Sequence, residues 1–450
     1  MRLSKVKLES FRMFNDLEVS IPDSKCVLFI GVNGSGKSTV LDAIALLLAQ
    51  FTGAISSRGS KYFAEYGLSD SDINIESDSC RLRLNIDFDL EDYGGSLSPL
   101  KINLYKERGD RKFSYDFMPK EILNRIKGPL EVDGNQGDHI ISLPIICYYR
   151  ANRSVINADN RRKRRAYYNP RLLAYENTLI ETRSSFSMFQ EWFVNEENLE
   201  NQQKVHLNDL SYRLPSLEVV RQGIERFLDS LDSSGIQNLR VLREGGKYTN
   251  ISDRQTDAES YLVITKDNQD IRLDRMSAGE RNVIYLVADI ARRLFLANQN
   301  ANSLSGTGIV MVDELELHLH PAWQRQIIPS LQKTFPNIQF LFSTHSPQIL
   351  SRVTHDSVIV LDNKEVFSVG SSPFGRDTNG ILEEIMGVDK RPREIDDLVD
   401  KILSELSKDS HSIDFQSVDS DMKRLRIMVA PSDPVLLRIE NITRRKKMLA

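Results

Sequence analysis

Apolar residues recur in this chain with two rhythms, and each rhythm predicts its own kind of element. Nearly unbroken apolar runs at residues 26–30 (CVLFI), 309–312 (IVMV), 338–342 (IQFLF) and 357–361 (SVIVL) have the composition of strands covered on both faces, as in a parallel sheet between helices. Strict alternation marks a second kind of strand. Leu82, Leu84, Ile86, Phe88 and Leu90 fall on one side and Arg81, Arg83, Asn85, Asp87 and Asp89 on the other, and Phe113, Tyr115 and Phe117 repeat the pattern. These predict antiparallel strands with one wet face. Helical spacing appears at Val40, Leu41, Ile44, Leu47 and Leu48, at Phe186, Phe189, Trp192 and Phe193, at Leu217, Val220, Ile224, Phe227 and Leu231, and at Ile395, Leu398, Val399, Ile402 and Leu406. No long heptad array runs through them.

The expected fold is α/β: a mixed central sheet with an antiparallel β-subdomain, a helical insertion and a helical C-terminal region. At 450 residues the chain needs more than one lobe. The patterns divide it into an N-terminal lobe with the β-subdomain (1–150), a helical insertion (151–270), a second α/β lobe (271–365) and a helical region for oligomer or partner contacts (366–450).

Composition narrows the function classes. A net charge of −4 excludes a uniformly basic nucleic-acid coat. Cys26, Cys80 and Cys147 lack paired spacing, which suits a reducing cytoplasm. The opening MRLSKVKLES has no apolar core and the run 43–49 is too short to span a bilayer, so neither secretion nor a membrane partner is expected.

The chemistry begins after the first buried run. Gly31 to Ser38 reads G-x-x-x-x-G-K-S between a predicted strand and a predicted helix, the order a phosphate-cradling loop requires. Gly31, Gly34 and Gly36 allow the backbone to curl so that its N–H groups face an anion; Asn33, Ser35 and Thr39 complete the cradle. Lys37 reaches the outer phosphates and the Ser38 hydroxyl suits Mg²⁺. A second buried strand delivers Asp313 and Glu314 at its carboxyl end, where Asp313 is placed to hold the metal and Glu314 to orient or deprotonate a water. A third ends in Ser343, Thr344 and His345, a polar sensor for a terminal phosphate. Ser277, Ala278, Gly279 and Glu280 precede another helix. Taken alone they fit either an anion at a helix start or a simple N-cap.

Together these motifs resemble the ABC-type ATPases, and within them the RecF, SMC and OLD branch. The resemblance makes MSAGE the signature motif, Asp313 and Glu314 the Walker B pair and His345 the switch histidine. It also makes VKLESFRMF, with Arg12, a first-strand motif at the nucleotide. It implies ATP and Mg²⁺ as ligands and a homodimer or higher homo-oligomer, in which Ser277 to Glu280 of one copy bind the nucleotide held by another. The segment ELELHLHP would be the D-loop. A metal role for its His318 and His320 is disfavoured because residues two apart do not share a helix face. LPIICYYRANRSV, with Arg153, is the candidate Q-loop.

Two further segments bear on partners. Arg161, Arg162, Lys163, Arg164 and Arg165, followed by Tyr167 and Tyr168, fit either a nucleic-acid contact or a solvated or protein-docking loop. The C-terminal GRDTNGILEEIMG and Arg391-Pro392 resemble the PtuA-like ATPases of Septu and retron antiphage defence, which implies an effector nuclease partner, HNH type favoured. A RecF-like repair clamp and an ATPase restraining a TOPRIM nuclease are the alternatives. Asp419 and Asp421 form Asp-x-Asp without a preceding apolar strand, so no nuclease site is expected in the chain itself.

Overall fold

The computed structural model describes residues 1–56, 67–87, 100–116, 142–151, 170–179, 182–231, 236–244, 259–266, 268–300, 302–370, 372–387, 391–408 and 412–449. The chain forms two compact units, Met1–Arg376 and Asp377–Ala450.

In the first unit, β1 (Arg2–Phe11) and β2 (Phe14–Ser20) open an antiparallel sheet that β4 (Ser79–Asp87), β5 (Leu100–Glu107) and β6 (Ser114–Asp116) extend in the order β2-β1-β4-β5-β6. Register follows the apolar alternation: Leu8 faces Leu82, Val6 faces Leu84 and Leu3 faces Ile86, and all six are buried. A one-residue slip would turn that whole face to water. Phe88, Leu90 and Phe117 lie outside the described residues.

The central sheet contains β3 (Cys26–Ile30), β7 (Ile145–Tyr149), β11 (Gly308–Val312), β12 (Ile338–Ser343), β13 (Val358–Asp362) and β14 (Glu365–Ser368), ordered β14-β13-β3-β12-β11-β7. All neighbours are parallel except β13 and β14. The strand expected to begin at Ser357 begins one residue later. Every residue of β3, β7, β11 and β12 is buried, so the unbroken apolar runs reflect helices on both faces. One of these, Lys37–Ser56, follows the glycine loop. It is apolar enough to cross a membrane by composition, yet 78% of its apolar window is buried within the fold. It is a core helix.

Two expectations need correction. Residues 151–270 do carry helices at Thr182–Leu207 and Pro215–Ser230, but β8 (Ile236–Glu244), β9 (Glu259–Lys266) and β10 (Gln269–Arg272) form a separate antiparallel sheet, most of it within that segment. Its strands interleave polar residues with apolar ones, so the apolar pattern alone shows no long buried run. The region read as helical from residue 366 begins instead as a strand. Asn363 and Lys364 both take left-handed backbone angles, φ 48° and 67°, closing a tight two-residue hairpin that adds β14 to the sheet.

The second unit has its own core. Leu398, Val399, Ile402 and Leu406 pack with Val418, Met422, Leu425, Leu436 and Ile439 from the two following helices. Arg391 donates to both oxygens of Asp433 at 3.0 and 2.9 Å, a bidentate pair that ties the start of the helix Arg393–Leu406 to the start of the helix Pro434–Leu449. Asp419 and Asp421 lie on the helix Phe415–Met428 and pair with Lys447 and Lys401.

Candidate nucleotide site

The sheet order converges the functional residues. β12 lies between β3 and β11, so the phosphate loop, the His345 segment and the acid pair leave the same edge of adjacent parallel strands. The ladder continues past the strands: Thr344 N–H donates to Phe29 O at 3.1 Å, Leu315 N–H to Ser343 O at 3.1 Å, and Asp313 N–H to Tyr149 O at 2.8 Å. Open α/β sheets bind ligands at this carboxyl edge.

Gly36 shows why the loop needs glycine. Its φ is +99°, and a Cβ there would lie 2.3 Å from the Phe14 ring. Lys37 is buried and donates to the carbonyls of Gly31 and Val32, both at 3.0 Å. Burial lowers its pKa, while Asp313, Glu316 and Glu314 act to hold the charge. The Ser38 hydroxyl donates to Asp313 Oδ1 at 3.0 Å, and Ser343 Oγ donates to that same oxygen. A hydroxyl and one carboxylate, both hard oxygens, are what Mg²⁺ takes from protein when phosphates and waters fill its remaining positions. Among the described residues no three His, Cys, Asp or Glu groups form a metal cage. Ser38 and Asp313 therefore fit a nucleotide-bound Mg²⁺ and not a dedicated all-protein site.

Glu314 follows with φ +49°, an uncommon backbone angle for glutamate. Its N–H donates to Ser343 Oγ at 2.8 Å, which holds the turn. His345 is half-buried; burial first, then Lys37, lower its pKa below the ordinary value, so the imidazole is neutral at pH 7. Arg12, at φ 49°, is held by Asp42 on the phosphate-loop helix at 2.6 Å and by Asp72 at 3.0 Å. Arg150, at the end of β7, reaches Asp42 at 3.2 Å.

At the signature motif both readings of Ser277 have a geometric basis. Ser277 is the N-cap of Ala278–Asn298, accepting from Glu280 N–H at 3.3 Å and donating to the Glu280 carboxylate at 2.6 Å. Ser277 and Ala278 are also exposed at the helix start, where the first turn presents N–H groups and a positive dipole end. Gly279 packs against the backbone of His318 and Leu319. His320 is the N-cap of Pro321–Thr334, its Nδ1 accepting from Ala322 N–H. Arg153 and the run Arg161 to Arg165 lie outside the described residues.

Sequence reasoning missed Asp289, fully buried on the signature helix. It accepts from Arg292 at 2.6 Å, from Arg293 at 2.7 Å and from Tyr149 Oη at 2.8 Å, and Arg293 also donates to the carbonyls of Ala174 and Glu176. This network fastens the signature helix to β7. In sequence it is one acid among many, because Tyr149, and the carbonyls of Ala174 and Glu176 that Arg293 reaches, are distant in the chain.

A glycine loop on a central parallel strand and an acid pair two strands away define the class: a P-loop ATPase. An AAA domain family matches residues 5–232, and an AAA domain described with the AbiEii toxin of type IV TA systems matches 156–351. The chain is 30% identical over 422 residues to the Retron Vc95 probable ATPase of Vibrio cholerae serotype O1 biovar El Tor, covering 85% of this chain and 78% of that one. It is 27% identical over 469 residues to the Retron Ec83 probable ATPase of Escherichia coli, covering 93% and 82%. Septu protein PtuA of Bacillus thuringiensis matches at 25% over 187 residues, 39% of this chain and 46% of that one. Among solved structures, an Smc head bound to the C-winged helix domain of ScpA is similar at 15% identity and a TM-score of 0.44, over 82% of this chain and 98% of that one. The chain belongs to the AAA-domain family and is a relative of these retron ATPases, and it is an ATPase.

Proposed function

We propose that this protein is the ATP-driven sensor and scaffold of a bacterial antiphage defence system. It acts in the cytoplasm as a homodimer or larger homo-oligomer and restrains a partner nuclease, HNH type favoured, until infection. The likeness to the retron ATPase of Vibrio cholerae over 85% of the chain carries this reading; the exposed signature serine supports the oligomer.

Each residue has a role in that cycle. The loop N–H groups and Lys37 bind the phosphates of ATP, with Asn33, Ser35 and Thr39 shaping the cradle and Arg12 bracing the adjoining helix at the nucleotide. Ser38 and Asp313 hold Mg²⁺, which neutralises charge on the phosphate oxygens when bound. Glu314 orients the attacking water and accepts its proton. His345, neutral, donates a hydrogen bond toward the terminal phosphate. Ser277, Ala278, Gly279 and Glu280 of one copy close over the nucleotide of another, so ATP stabilises the closed assembly by contacts that the open state lacks. Hydrolysis removes that bridge.

The test is expression with the neighbouring genes in a phage-sensitive host, using intact protein and Lys37→Ala. Protection that depends on Lys37, with a nuclease co-purifying, is expected. Protection indifferent to Lys37, or a complex without any nuclease, would reject the defence role.

A further inference from the structure

The D-loop glutamate Glu316 has no part in the roles above, yet it is bound directly to the switch segment. One carboxylate oxygen accepts from the Thr344 hydroxyl at 2.7 Å and the other from His345 N–H at 2.5 Å. Thr344 is fully buried. Its hydroxyl oxygen also accepts from Ser346 N–H at 3.0 Å, and Ser346 Oγ donates to Gln324 Oε1 at 2.7 Å. Gln324 Nε2 then returns to the D-loop, donating to Leu319 O at 2.9 Å. The hydrogen bonds form a closed circuit: Glu316, Thr344, Ser346, Gln324, Leu319 and back along the chain.

The circuit reaches the signature motif. Gly279 lies against the backbone of His318 and Leu319, where an added Cβ would meet His318 O at 2.1 Å and Leu319 Cα at 3.3 Å. His318 itself is held at φ +65°. A displacement of the signature helix start therefore presses on His318 and Leu319, and Leu319 is the residue that Gln324 and the Glu316 backbone carbonyl tie into the circuit. Charged hydrogen bonds of this kind are shorter and stronger than neutral ones. They are suited to fixing a side chain within the narrow tolerance that catalysis needs.

We infer that Glu316 is a positioning residue: its carboxylate holds the backbone of His345 in the hydrolysis-competent place and couples it, through the D-loop, to the signature motif of the same copy. This rests on the assignment of His345 as the phosphate sensor. Glu316 moves no proton and touches no substrate in this role.

The experiment measures kcat and KM for ATP in the full-length protein, with a pH profile, for Glu316→Ala, Glu316→Gln, His345→Ala and the double variant Glu316→Ala/His345→Ala. The glutamine variant keeps the side-chain volume but puts an amide donor where two donors converge, so it addresses the same bonds if the alanine variant folds poorly. Expected are a kcat about tenfold lower with KM for ATP within about twofold, an acid limb of the pH profile moved to lower pH, and a double variant no slower than His345→Ala alone. The acid limb moves because Glu316 raises the His345 pKa. Turnover within about twofold of wild type in Glu316→Gln, or losses that multiply in the double variant, would overturn the positioning role while leaving His345 in place. Wild-type turnover in His345→Ala would overturn both, and would be recognised by that variant alone.

Discussion

Gly279 and His318 meet backbone to backbone: a β-carbon on the glycine would lie 2.1 Å from the histidine carbonyl oxygen. Real contacts of that length do not exist, so a side chain of any size must move either the signature helix or the D-loop. We expect Gly279→Ala to bind ATP with near-normal affinity, because the phosphate loop is on other strands, but to lose ATP-dependent self-association and most turnover. Nucleotide titration beside analytical ultracentrifugation checks this. An alanine variant that assembles and hydrolyses normally would show that the two loops yield independently.

Glu314 stands one residue past Asp313, with its N–H held by Ser343. Removing its charge while keeping its shape should leave ATP binding intact and slow hydrolysis by about 10²-fold or more, the usual scale for losing a general base. Glu314→Gln is also expected to lengthen the life of the ATP-bound assembly, observable by size-exclusion chromatography. Unaltered single-turnover rates would remove Glu314 from the chemistry.

Asp289 is fully buried between two arginines, and their proximity outweighs its desolvation, holding its carboxyl well below the usual range. Neutralising it removes the carboxylate that both guanidinium groups contact. Asp289→Asn should cost about 3–5 kcal/mol of stability, read from chemical denaturation. Because its pKa is depressed, its contribution is present at neutral pH and is lost only as acid protonates the carboxylate below the ordinary aspartate range. A variant that unfolds at the wild-type denaturant concentration would contradict this.

His345 has the same sense at a higher pH. Its folded-state pKa is lowered by burial and by Lys37, so below its ordinary value of about 6.5 the unfolded chain binds the proton more readily than the folded one. Stability at this site therefore rises with pH and is lost as pH falls below that value. Hydrolysis should decline over the same acid range, since an imidazolium beside Lys37 adds like charge. His345→Asn should flatten the stability profile just below the ordinary histidine value of about 6.5; an unchanged slope would mean that another group titrates there.

The amino-acid sequence determined what is local. A glycine loop between a buried strand and an amphipathic helix, an acid pair at a strand end, and alternation along β4 each depend on residues within one or two turns or along one strand. Side-chain period and turn chemistry therefore expose them directly. Tertiary structure decided what joins distant segments. The adjacency of β3, β12 and β11 brings Ser38 to Asp313, and the packing of the helix Ala278–Asn298 brings Gly279 to His318 and Asp289 to Tyr149; no spacing along the chain encodes any of these pairs. Glu316 looks like an ordinary surface acid in the sequence because its partners are supplied by another element, and Asp289 because the fold alone buries it against Tyr149. The sheet β8-β9-β10 was missed for the same reason: a mixed polar and apolar strand becomes recognisable only when a neighbouring strand satisfies its backbone and covers one of its faces.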